Sequence, residues 1–157
     1  MTTPNTGLDN NVRQAVADAL NGVLADTYTL YLKTHSYHWN VTGPRFRSLH
    51  LMFEEQYREM WAALDEMAER IRSLGVFAPT SSKHMGELAS IESAEDTPPP
   101  ADKMVKNLLD GHETLIRRAR KALSVAEDAG DVASEDLLTQ RIAAHEKTAW
   151  MLRAMTE

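Results

Sequence analysis

The stretch His38–Glu69, HWNVTGPRFRSLHLMFEEQYREMWAALDEMAE, decides how this chain folds and where its chemistry lies. A histidine precedes a Gly43-Pro44 break, and a long helix follows. In that helix His50 and Glu54 stand one turn apart, as do Asp65 and Glu69. Residues at i and i+4 share a helix face, so each pair can offer two ligands to one ion, and imidazole with carboxylate suits iron, manganese or zinc. Glu54 and Asp65 are roughly 16 Å apart along the axis at about 1.5 Å per residue. One ion cannot touch both pairs of the same helix, because metal–oxygen bonds are only about 2.0–2.2 Å long. The midpoint of His50 and Glu69 coincides with that of Glu54 and Asp65, between Glu59 and Met60. A two-fold axis crossing there sets His50 against Glu69 and Glu54 against Asp65 of a second copy, giving two identical shared sites. The plainer alternative is a solvated acidic face with one histidine on it.

The same helix carries an apolar stripe, Leu49, Phe53, Met60, Leu64, Met67, Ile71 and Leu74, which is its expected core face. The ligand candidates lie roughly 100° around the helix from it. Trp61 shares their face, which marks a surface that something else covers.

The chain has 157 residues, enough for one domain with a sizeable core. It contains no cysteine, so disulfide and thiolate chemistry are excluded. No apolar run approaches the roughly 20 residues needed to span a membrane. The start, MTTPNTGLDNN, lacks the basic and apolar regions of a signal peptide, so a cytoplasmic location is expected. A net charge of −6 favours collecting cations over polyanions.

Residues 1–9 read as a short disordered tail before a single domain over 10–157. A first helix is expected from an N-cap at Asn10 to about His38, with Gly22 a small penalty inside it. The second helix opens at Pro44 and stops at Gly75. Residues 75–100 hold four prolines and a Ser-rich start; Ser81 or Ser82 is expected to cap a short helix ending near Ile91. A third helix is expected over Asp102–Ala129, with Val105, Leu108, Leu115, Ala119 and Leu123 inward. After a Gly130-Asp131 turn, a fourth runs over Val132–Met155. No strand pattern or phosphate-binding glycine loop occurs. The reading is all-α: a four-helix bundle with a long crossover, carrying a short extra helix, between the second and third long helices. His35 is expected to point away from the ligand set, and His84, His112 and His145 read as ordinary surface or core histidines.

The segments HWNVTG, SLHLMFEE and LDEMAERIRSLG resemble the Dps family, the mini-ferritins named for DNA protection in starved cells, over nearly the whole chain. The Glu-x-x-His pair of ordinary ferritins is missing, in keeping with a site between chains. The resemblance implies a ferritin-like fold, a hollow homododecamer built on two-fold dimers, and a ferroxidase centre across each dimer interface. It carries over His38, His50 and Glu54 from one chain with Asp65 and Glu69 from the two-fold-related subunit. Trp39 and Trp61 fall near the site, where they pack or scavenge stray oxidising equivalents. Glu55 resembles a residue at the mineral nucleation surface, and Asp136 one at the pore through which iron enters. The implied substrate is ferrous iron, with zinc or manganese as surrogates. The implied oxidant is hydrogen peroxide in preference to dioxygen, and the ferric mineral is kept inside the shell. The alternative is a DNA-compacting structural protein whose metal site is incidental. Many DNA-binding members have a Lys-rich N-terminal tail, whereas nothing basic precedes Arg13 here, so DNA binding is expected to be weak or absent.

Overall fold

In the computed structural model, which describes residues 2–157, five helices follow one another: α1 (Asn10–Asn40), α2 (Phe46–Ser73), α3 (Ser82–Leu88), α4 (Ala101–Ala129) and α5 (Val132–Ala154). No strand occurs among the described residues. The long helices close a ring: α1 packs on α2 and α4, α4 packs on α5, and α5 meets α2. Short α3 packs on α1, within the crossover from α2 to α4. This is the expected four-helix bundle with one long crossover.

The core explains the helices. Leu20, Leu24 and Leu30 of α1, Leu49, Phe53, Met60, Met67 and Ile71 of α2, and Leu108 and Leu115 of α4 are all essentially inaccessible. Two expected inward residues differ, for Leu64 and Leu123 are only half-buried. Leu64 instead helps line a groove with Trp61, Asp65 and Met85.

The ends follow backbone chemistry. Asp9, not Asn10, precedes α1, and its side chain makes no capping bond; Asn10 Oδ1 instead accepts from Arg13 Nη2 at 3.2 Å. Helix α2 ends at a left-handed Gly75, with φ +89°, and α4 at Gly130, with φ +69°. Asp131 caps α5 by accepting from the Ser134 backbone N–H at 3.2 Å.

Ser81 caps α3 by accepting from the His84 N–H at 3.1 Å. That helix stops at Leu88 rather than near Ile91, because the next backbone donors have another acceptor. The N–H groups of Ser90 and Ile91 bond Asp26 Oδ1 at 2.6 and 3.1 Å, and Ser90 Oγ bonds Asp26 Oδ2 at 2.6 Å. Arg118 Nη1 completes the carboxylate's partners at 3.0 Å. Asp26 is wholly buried, so the crossover is fastened to α1 and α4 at one point. Gly22 makes room for this: a β-carbon there would run into the Arg118 guanidinium.

The expected tail over 1–9 has no helix, but part of it is packed; Met1 lies outside the described residues. Leu8 rests on the core, and its carbonyl accepts from Arg13 Nη1 at 2.5 Å. Arg13, itself buried, also donates from Nε to the Leu74 carbonyl at 3.1 Å. A β-carbon on Gly75 would stand 2.9 Å from Pro4, so this segment lies against the end of α2.

Candidate metal centre

The end of α1 and the start of α2 bring two histidines together. His38 and His50 stack with ring centroids 3.8 Å apart and planes 16° from parallel. His38 Nδ1 lies 2.7 Å from the His50 carbonyl, and His50 Nδ1 lies 2.7 Å from the His38 carbonyl. A carbonyl only accepts, so each Nδ1 must carry the proton. In the neutral rings both Nε2 atoms therefore keep their lone pairs. A hydrogen bond at one ring nitrogen fixing the other as ligand is the usual outer-shell device of metal histidines. Here each histidine's backbone performs it for the other.

Glu54 lies one turn beyond His50. Its Oε1 accepts from Arg58 Nη2 at 2.8 Å and Arg58 Nε at 3.1 Å. These bonds from Arg58, aided by the nearby His38 and His50, hold the Glu54 carboxyl below its usual range, so it is ionised at neutral pH. Two imidazole lone pairs and one carboxylate thus share a neighbourhood.

Asp65 and Glu69 stand exposed further along α2, where Asp65 borders the groove that Trp61 and Leu64 line. The fold of one chain does not bring them to the histidines. Among the described residues of a single chain, no group of three or more His, Cys, Asp or Glu is arranged to hold an ion. Trp39 and Trp61 are 61% and 62% exposed on this side of the bundle. Glu55 is exposed on α2, and Asp136 is exposed on α5 with its carboxylate bonded by Gln140 at 2.8 Å.

His35 corrects one expectation: it faces the site. It stacks on Tyr57 at 3.8 Å, with planes 15° apart, and its centroid is 6.0 Å from that of His38. The missed neighbours Tyr31, Tyr57 and Arg58 were legible as i, i+4 partners of His35, Trp61 and Glu54. His84 is exposed. His112 and His145 are both 1% exposed and form a pair, with Nδ1 atoms 3.0 Å apart.

Comparison with known proteins agrees with this architecture. The ferritin-like domain family matches residues 17–157, and the chain is a ferritin-like protein. Within that class it belongs to the Dps family. It is 36% identical over 145 residues to DNA protection during starvation protein 2 of Bacillus anthracis, covering 91% of this chain and 97% of that one. The Dps protein of Vibrio cholerae O1, described as one of a broad superfamily of ferritin-like diiron-carboxylate proteins, superposes with a TM-score of 0.93. That likeness has 34% identity and covers 100% of this chain and 99% of the other. An uncharacterized low-temperature-induced protein of Nostoc is 42% identical over 154 residues, covering 98% of this chain and 86% of its own length.

Proposed function

We propose that this chain is an iron-storage and detoxification protein with ferroxidase activity, acting as a hollow dodecamer of two-fold dimers in the cytoplasm. The observation that carries the reading is the reciprocal His38–His50 lock, which presents two Nε2 lone pairs beside the ionised Glu54. Asp65 and Glu69 of the two-fold-related subunit complete each centre, and iron is the substrate, with zinc and manganese as surrogates. Carboxylates offset the cation charge and favour the ferric state. Two ferrous ions each give one electron to hydrogen peroxide, which takes up two protons and leaves as two waters; dioxygen serves more slowly. Ferric product hydrolyses against the inner wall, where Glu55 is a nucleation residue, while Asp136 lines the pore that admits iron. Denying ferrous iron to hydroxyl-radical chemistry protects DNA and cell.

The test is an anaerobic ferrous titration followed by peroxide, with ferric absorbance and light scattering recorded together. Saturable binding, oxidation faster than in buffer and a soluble product are expected. Iron that oxidises at the buffer rate, or precipitates, overturns the proposal. The alternative, DNA compaction, finds little support in the N-terminal segment, whose first basic residue, Arg13, is buried and bonded to backbone carbonyls. Plasmid mobility should be unchanged at about 0.15 M salt, since non-specific affinity comes from free Lys and Arg on phosphate.

A further inference from the structure

Tyr31 and His35 hold no metal in the reading above, yet they form a pair across one turn of α1, with Tyr31 Oη 3.0 Å from His35 Nδ1. The pair sits in a continuous set of ring contacts. His35 stacks on Tyr57, Trp39 lies 4.4 Å from His35, and Trp61 lies 5.3 Å from Tyr31. Tyr57 is 5.2 Å from the ligand candidate His38. The set therefore joins the proposed centre to two exposed indoles.

A phenol that loses an electron becomes a strong acid, so its oxidation is easy only where a base waits at hydrogen-bond distance. The chain has four tyrosines. Tyr37 bonds a carboxylate, Glu95, at 2.7 Å, but the carboxylate is a weaker base than imidazole by about two pKa units. Tyr37 also stands outside the ring set. Among the described residues, Tyr28 and Tyr57 find no side-chain base to hydrogen-bond. Among the described residues, only Tyr31 combines an imidazole partner with contacts to the other rings. Burial, with Tyr57 and Tyr28 nearby, pushes its phenol up, so the proton is present at neutral pH. His35 Nδ1, 3.0 Å from the phenol oxygen, is the group placed to take that proton.

We propose that Tyr31 is a one-electron redox site of this protein, with His35 as its proton acceptor. The oxidant is of the hydroxyl-radical class, formed when a lone ferrous ion gives one electron to peroxide and yields hydroxide beside the radical. Tyr31 loses an electron to that radical and its phenolic proton to His35 Nδ1; the radical, with the electron and a proton, becomes water. A second ferrous ion then returns an electron to the tyrosyl, which recovers its proton from His35. Only the source of oxidant and reductant rests on the ferroxidase reading.

The experiment has an iron-free arm. The whole assembled protein is oxidised by flash-generated ruthenium(III) tris-bipyridine, and radicals are followed by transient absorption and freeze-quench electron paramagnetic resonance. A tyrosyl signal is expected in wild type and in Tyr37→Phe, lost in Tyr31→Phe with longer-lived indole radicals. In His35→Gln it should form more slowly and lose its solvent deuterium isotope effect. A tyrosyl signal that survives Tyr31→Phe, or formation indifferent to His35→Gln, overturns the proposal. The second arm mixes substoichiometric ferrous iron with peroxide and repeats the spectroscopy. Iron-free success with no iron oxidation in this arm would sink the ferroxidase reading and leave the redox pair standing. Failure of the first arm with normal iron oxidation would do the reverse.

Discussion

At the scale of single residues, the direction of each hydrogen bond decides what a histidine can do. His38 and His50 each spend Nδ1–H on the other's carbonyl and keep Nε2 available. His145 and His112 show the opposite outcome. Arg141 Nη2 donates to His145 Nε2 at 3.0 Å, so His145 must donate from Nδ1 to His112 Nδ1, and no metal-binding lone pair remains. His38 has no carboxylate one turn away either, so what His38 and His50 share is orientation by the neighbouring backbone. His50→Ala should lower zinc affinity at least about tenfold, since even outer-shell changes cost 10–100-fold. Stability should change by less than about 1 kcal/mol, because His50 is half-exposed and outside the core. Titration calorimetry with zinc and urea denaturation check the two halves; unchanged zinc affinity would remove His50 from the ligand set.

At the scale of elements, two polar clusters with buried members fasten helices to one another. The first is Asp26, which ties the crossover to α1 and α4. Asp26→Ala leaves two backbone donors and Arg118 without their acceptor. A loss of about 3 kcal/mol is expected, within the range for hydrogen bonds to buried charge. It should appear as a lower urea midpoint with early proteolysis near Ser90. The second cluster joins α4, α5 and α2 through His112, His145, Arg141 and Glu59, with Arg141 Nη2 2.9 Å from Glu59 Oε2. An added proton has no place in it: on His145 Nε2 it faces Arg141, and on His112 Nδ1 it faces the Nδ1–H of His145. Burial and Arg141 push His112 down to about 3, and burial, His112 and Arg141 push His145 well below its ordinary value. Both rings are thus neutral in the native state but charge in the unfolded chain below about pH 6.5. Their stabilisation is fully present above that pH and is lost as pH falls towards the native values. The slope is about 1.4 kcal/mol per pH unit for each ring. The double variant His112→Leu, His145→Leu should therefore lose stability less steeply between about pH 6.5 and 4.5. Parallel stability curves for variant and wild type would contradict this.

At the scale of the whole molecule, the proposed site is incomplete in one chain, and the proposed completion is by two-fold symmetry. A His50→Ala protein and an Asp65→Ala, Glu69→Ala protein should each be damaged at both centres of every dimer. A mixed dimer gathers every lesion into one centre and leaves the other intact. Dissociating, mixing and reassembling the two should restore roughly a quarter of wild-type centres, given random pairing across an isologous interface. Ferrous oxidation rate is the readout, with mass spectrometry to verify mixed assemblies. Mixed assemblies without recovery would place each site within a single chain.

The sequence by itself determined the helical bundle, because apolar residues repeating at helical period in four long segments must pack helix on helix to bury their faces. It also determined the helix stops, since Gly75 and Gly130 take backbone angles that other residues resist. That His50 stands one turn from Glu54, and Asp65 one turn from Glu69, was legible because i, i+4 neighbours on a helix are fixed by local geometry. What only the tertiary structure decided are contacts between segments far apart in the chain. Asp26 on α1 shortened α3, Arg13 seated Leu8, and Tyr57 on α2 turned His35 towards the site. The tautomers of His38 and His50 belong here too, since each depends on a carbonyl twelve positions away. Helical periodicity specifies which residues share a face, but a hydrogen bond's direction is set by whichever group a different helix brings within 3 Å of it.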